Sequence, residues 1–207
     1  TGGGKTSLLN LIARLYDPTS GTVSIDGGNL KKMDTHFLRK HIGFVPQDPF
    51  LFSDSIENNI RFGAEEADQI RIENAAKNAA IHENIVRFTK QYKTVLGERG
   101  LTVSGGQKQR ISIARALIKD PDILIFDDCL SAVDTETEEA ILMNLKTISA
   151  KKTTFIVSHR ISSVKYADKI IVLDQGQIVQ EGIHEDLVQE HGYYQEFYKQ
   201  QLLEKEH

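Results

Sequence analysis

Short runs of β-branched and aliphatic residues alternate along this chain with longer stretches of helical spacing, and no other feature narrows the possible folds as far. That alternation argues for an α/β fold, with helices packed on a mainly parallel sheet. Strands are expected at residues 22–25, 42–45, 123–126, 154–157, 169–173 and 177–179. Helices are expected at 7–15, stopped by Pro18 and the turn after it, at 135–148, and at 193–206. In the terminal helix, Tyr193, Tyr194, Phe197 and Tyr198 read as docked packing rather than a ligand box. Between Ser53 and Asp120 the character is helical and no run reads as a strand. The expected organisation is therefore a core of residues 1–52 and 121–207 with a helical subdomain, 53–120, inserted between two core strands.

Composition excludes several classes. The chain has 207 residues, 40% hydrophobic, enough for a core without staples. Its 25 basic and 29 acidic residues leave a net charge of -4, with no basic cluster of the kind nucleic acid requires. The single cysteine, Cys129, rules out an internal disulfide framework and reads as a small packing residue. No apolar run approaches the ~20 residues of a membrane span. The first residues are glycine-rich rather than a charged and apolar leader, which points to a cytoplasmic setting. His36, His41, His82, His184, His191 and His207 have no metal-like spacing and read as surface or capping residues.

Three segments carry chemistry. The chain opens Thr1-Gly2-Gly3-Gly4-Lys5-Thr6-Ser7, and Gly4, Lys5 and Thr6 match the end of G-x-x-x-x-G-K-[ST]. The pattern's first glycine would precede Thr1. Successive glycines let backbone N–H groups converge on an anion at a helix N-terminus. Lys5 adds a mobile positive charge for outer phosphates, and the Thr6 hydroxyl suits Mg²⁺. The second segment, Ile123-Leu124-Ile125-Phe126-Asp127-Asp128, is an apolar strand that delivers a carboxylate to the sheet's carboxyl edge, where open α/β folds bind ligands. The third, Val103-Ser104-Gly105-Gly106-Gln107, places an N-capping serine and two glycines before a helical run, a second anion-binding helix end. One site does not need two such ends. Two copies facing each other would use both.

Taken together these segments resemble the nucleotide-binding domain of an ATP-binding cassette transporter over essentially the whole chain. Residues 1–6 are similar to the end of the family's Walker A loop, 123–127 to Walker B, and 103–107 to its signature motif, with Val103 for the usual leucine. Gln47 matches the Q-loop glutamine, Ser131-Ala132-Val133-Asp134 the D-loop, and His159 the switch histidine. Residues 52–60 and 94–100 resemble segments of exporters that couple the domain to transmembrane helices.

The resemblance implies a P-loop nucleotidase core with a mainly parallel sheet, an antiparallel β element and an inserted helical subdomain carrying the signature motif, two such domains clamping Mg²⁺ and ATP between them. On that reading Thr1, Gly2, Gly3, Gly4, Lys5, Thr6 and Ser7 hold the phosphates, while Thr6, Gln47 and Asp127 organise the metal. Ser104, Gly105, Gly106 and Gln107 reach the partner's ATP, Asp134 helps communicate between sites, and His159 stabilises the transferring phosphoryl group. The adenine-stacking aromatic and the transmembrane domains would lie upstream of Thr1, and this chain would sit on the cytoplasmic face of the cell membrane. One departure stands out. The residue after the Walker B aspartate is normally glutamate, which polarises the attacking water, and here it is Asp128. A carboxylate misplaced by about 1 Å can cost on the order of 10²-fold in rate. That combination is similar to the degenerate-site half of a heterodimeric exporter, which implies a non-identical partner domain; a homodimer that tolerates a slower site is the alternative. A non-catalytic regulatory module and a soluble cassette protein are the rival readings.

Overall fold

The structure, a computed structural model, describes residues 3–97 and 103–205. Three parallel strands form its centre, β3 (Ile42–Val45), β4 (Ile123–Asp127) and β5 (Thr153–Val157), in the order β3-β4-β5. Two hairpins precede and follow them. One joins β1 (Ser24–Ile25) to β2 (Gly28–Asn29), and the other joins β6 (Ile170–Asp174) to β7 (Gln177–Gly182), both antiparallel. Each turns on two residues with positive φ, Asp26-Gly27 (49° and 77°) and Gln175-Gly176 (47° and 78°), the turn whose twist matches paired strands.

The helices are α1 (Lys5–Ile12), α2 (Thr35–Lys40), α3 (Ile56–Arg61), α4 (Gln69–Asn78), α5 (His82–Val86), α6 (Gly105–Leu117), α7 (Thr135–Ile148), α8 (Ile161–Val164), α9 (His184–Leu187) and α10 (Tyr193–Lys205). Helix α10 follows the expected terminal helix, whose last residue, Glu206, lies outside the described residues, as does His207.

Strand β4 is buried on both faces, as its unbroken apolar run requires. Ile125 points to one side, into a cluster with Leu9 and Ala13 near α1, Leu30, Leu38 of α2 and Ile42. Leu124 and Phe126 point to the other, into the larger cluster formed with α3 to α7. Successive side chains alternate across a strand, so one five-residue segment staples both layers. Between residues 53 and 120 the only pairing among the described residues is an isolated bridge, Ser55 to Val95.

Three expectations need correction. Helix α1 starts at Lys5 and ends at Ile12, short of Leu15, and Pro18 is not what stops it. Arg14 adopts a left-handed backbone, φ 48°, and its guanidinium donates to the carbonyls of Met33, at 2.5 Å, and Lys31, at 3.1 Å. The chain turns there to meet the first hairpin. The strand expected at 22–25 is only Ser24–Ile25, while the one expected at 177–179 runs on to Gly182. β2 and α2 were not expected at all. Gly28–Asn29 has no β propensity to signal it, whereas α2 does carry a start signal, Asp34, whose carboxylate accepts from the Phe37 N–H at 2.7 Å.

Candidate nucleotide site

Strand register decides which side chains meet. Val45 of β3 pairs with Phe126 of β4, and Asp127 pairs with Val157 of β5, so the three strands end on one level. The next residues, Pro46-Gln47, Asp128 and Ser158-His159, therefore leave the sheet at the same carboxyl edge. Their side chains converge. Gln47 Nε2 donates to Asp128 Oδ2 at 3.2 Å, and His159 Nε2 lies 3.8 Å from the same oxygen. Asp128 is nearly buried, with φ 46°, and its N–H donates to the Val157 carbonyl at 2.9 Å.

Helix α1 brings the glycine-rich segment to that edge. Gly4 is its N-cap residue at φ 83°, with no side chain capping the helix. Its first N–H groups are left for an external acceptor. A side chain at Gly3 would stand 3.0 Å from the Leu173 carbonyl of β6, so the loop's backbone lies close against that strand. Thr6 Oγ1 donates to Asp127 Oδ1 at 3.2 Å, tying the loop's helix to the acidic strand end across 121 residues. Thr1 and Gly2 lie outside the described residues.

The second helix end is built as the capping residues predict. Ser104 caps α6 in a reciprocal box, its hydroxyl accepting from Gln107 N at 3.3 Å while the Gln107 side chain accepts from Ser104 N at 3.0 Å. Gly106 has a packing reason as well. A side chain there would stand 2.8 Å from the Ala132 carbonyl. Gln109 Oε1 accepts from Ala132 N at 3.2 Å, so the start of α6 rests on the loop that carries Asp134.

Asp134 caps α7, accepting from Thr137 N at 2.9 Å, and that bond holds its carboxyl below the usual carboxylate range. The same loop meets the segment after β5. Arg160 donates to the carbonyls of Val133, at 3.1 Å, and Ser131, at 3.2 Å, and to the buried carboxylate of Glu138. Ser131 Oγ in turn donates to the Asp128 carbonyl at 2.9 Å.

Gln109, Arg160 and Glu138 also belong to this network, and no motif in the sequence marks them. Arg160 stands beside His159 in the chain, and a charge next to a site residue was the one signal available. The two exporter-like segments do lie side by side. Ile56 N donates to the Thr94 carbonyl at 3.0 Å and Leu96 N to the Asp54 carbonyl at 2.9 Å. Glu98, Arg99 and Gly100 lie outside the described residues.

Cys129 follows the acidic pair and is sealed. Burial, with smaller pushes from Asp128 and Asp127, raises its thiol from the ordinary 9.0 to about 12. In the native protein the thiol is expected to resist alkylation at pH 8 and to react once the fold is opened, which mass shift after iodoacetamide measures. The unfolded chain releases this proton at lower pH than the folded one. Its contribution to stability is therefore whole below pH 9 and is lost as the pH climbs toward 12.

Among the described residues no group of three or more His, Cys, Asp or Glu stands ready to hold a metal alone. The Thr6 hydroxyl, the Asp127 carboxylate and the Gln47 amide oxygen are hard oxygen donors, few in number. That donor set suits a cation completed by phosphate and water, as Mg²⁺ is.

A glycine-rich loop opening a helix, tied by a hydroxyl to a carboxylate at the carboxyl edge of a parallel sheet, defines a phosphate-loop nucleotide-binding domain. Residues 1–131 match the ABC transporter family, and the chain belongs to that family. It is 46% identical over 205 residues to a mitochondrial potassium channel ATP-binding subunit of Rattus norvegicus, covering 99% of this chain and 29% of that protein. It is 45% identical over 201 residues to ATP-binding cassette sub-family B member 6 of Xenopus tropicalis, covering 97% of this chain and 24% of the relative. A solved bacterial Atm1-family ABC exporter with ATP bound superposes with a TM-score of 0.94 at 43% identity, over 97% of this chain and 35% of the exporter chain. The chain thus spans less than a third of the length of these two curated relatives.

Proposed function

We propose that this chain is the ATP-binding and ATP-hydrolysing motor domain of an exporter. Binding and hydrolysis at a dimer interface would drive a substrate across a membrane. The observation that carries the reading is the meeting of Thr6, Asp127, Gln47, Asp128 and His159 at one sheet edge. Gly2, Gly3, Gly4, Lys5, Thr6 and Ser7 hold the phosphates, with Thr1 at the loop's edge. Thr6, Asp127 and Gln47 would hold Mg²⁺, which when bound neutralises charge on the phosphate oxygens. Gln47 donates its amide N–H to Asp128 and keeps its oxygen free to accept. Asp128 orients and deprotonates the attacking water, and His159 steadies the phosphoryl group beside it.

Ser104, Gly105, Gly106 and Gln107 complete the site of a second, non-identical nucleotide-binding domain. Asp134 lies on the loop that links both sites through Ala132 and Arg160. The α3 to α6 region, 53–120, acts as the subdomain that presents the signature helix. Transmembrane domains on the same polypeptide, upstream of Thr1, would place the chain on the cytoplasmic face.

Lys5→Ala in the full-length protein is the direct test. ATP affinity is expected to fall at least tenfold, read by displacement of a fluorescent ATP analogue, with the melting temperature without nucleotide unchanged. Unaltered affinity would refute the phosphate-loop reading.

Asp128 also favours a second reading, a regulatory half that binds ATP without turning it over. Radiolabelled phosphate release with the partner's site disabled separates slow turnover from none.

A further inference from the structure

His159 is half-exposed, and its reach to Asp128 depends on the backbone between the end of β5 and the start of α8. That short segment is gripped from an unexpected quarter. Gln201, in the terminal helix α10, donates through Nε2 to the His159 carbonyl at 2.6 Å, and its Oε1 accepts from Ile161 N at 3.0 Å. Ile161 is the first residue of α8, whose N-cap residue, Arg160, makes no side-chain cap. Gln201 satisfies that helix's open N–H from 40 residues away and holds the switch histidine's own carbonyl with the other end of one amide.

The placement of α10 makes the grip firm. Tyr194, Tyr198 and Gln201 follow at i, i+4 and i+7, on one face of the helix. Tyr194 is buried with Ile161, Ile170 and Leu187, and Tyr198 packs against that cluster. Tyr194 N donates to Gln180 Oε1 at 3.0 Å, and the Tyr194 hydroxyl lies 2.8 Å from His184 Nδ1. An aromatic stripe thus docks α10 and leaves a polar group at its end, aimed at the backbone on both sides of Arg160.

We propose that Gln201 is a positioning residue for His159, through which the terminal helix sets how well the site distinguishes ATP from ADP. The inference rests on the reading of His159 as the group that meets the outer phosphate. The chemistry is specific to an amide. Glutamine offers a donor and an acceptor together, glutamate can only accept, and leucine does neither. Loss of the pair frees the His159 carbonyl, so the imidazole samples positions away from Asp128.

The test uses the full-length protein and measures the ratio of ATP to ADP affinity at this chain's site. Photolabelling of this chain by an azido-adenine nucleotide, displaced by ATP or ADP, gives that ratio. Gln201→Leu is expected to lower it about 5-fold, the size of one displaced hydrogen-bonded pair, with Gln201→Glu falling at least as far. In a His159→Ala background Gln201→Leu is expected to change nothing more. Where the leucine variant does not fold, Gln201→Ala serves. An unchanged ratio in Gln201→Leu, or an equal loss with and without His159, overturns the assignment. If His159→Ala alone leaves the ratio intact, it is the reading of His159 that fails, and the role of Gln201 with it.

Discussion

Asp128→Glu is expected to raise phosphate release at this chain's site about 10²-fold. The Asp128 carboxylate accepts from the Gln47 amide at 3.2 Å and faces His159 at 3.8 Å, and its backbone is tied by the Asp128 N–H to the Val157 carbonyl. It cannot advance to make up for the missing methylene. A catalytic base held about 1 Å short can lose on the order of 10²-fold, or about 2.7 kcal/mol of barrier. Glutamate restores the reach from the same backbone.

A side cost accompanies the gain. The position has φ 46°, which aspartate tolerates better than longer side chains. The glutamate variant should therefore melt slightly lower while turning over faster. Asp128→Asn is the control, since an amide cannot take the water's proton, and it should fall below the wild type. Single-turnover phosphate release in the full-length protein, with Mg-ATP in excess, measures all three. If glutamate is no faster than aspartate, reach is not what limits this site, and the regulatory reading gains.

Much of this architecture is legible in the amino-acid sequence. Residues 42–45 and 135–148 form the strand and helix expected of them, because each apolar pattern is bounded by a strong signal. Asp134 caps the helix, and Pro46 directly follows the strand. Gly4, Lys5 and Thr6 announced the loop because phosphate binding needs backbone N–H groups, which only glycines expose so densely.

Much of what stayed hidden is of one kind. Arg14 ends α1 through carbonyls of Lys31 and Met33, and Gln201 grips residues 159 and 161. A polar side chain on a helix looks solvated in sequence until the fold supplies a distant backbone for it to bind. Gln109, buried on α6 with its amide on Ala132, is the same case.

Arg160→Met is expected to destabilise the domain by about 3 kcal/mol, or roughly 6–12 °C in melting temperature for a domain of this size. The reason lies in its partner. Glu138 is 1% exposed, and its carboxylate receives the Arg160 guanidinium and the Ser163 hydroxyl, with Ser162 at 3.4 Å. With Arg160 gone, an acid sealed without its cation does not recover its hydration. Methionine keeps much of the apolar stem, so packing accounts for little of the loss.

Two further bonds go with the guanidinium, those to the Ser131 and Val133 carbonyls, and the loop between the acidic strand end and α7 loosens. The double variant Arg160→Met, Glu138→Met removes the stranded acid as well. It should regain more than half of the lost stability while leaving the loop untethered. Scanning fluorimetry of the wild type, both single variants and the double variant gives the coupling directly. A single change that costs under about 1 kcal/mol, or a double variant whose losses simply add, would show that the pair does not hold this corner of the fold together.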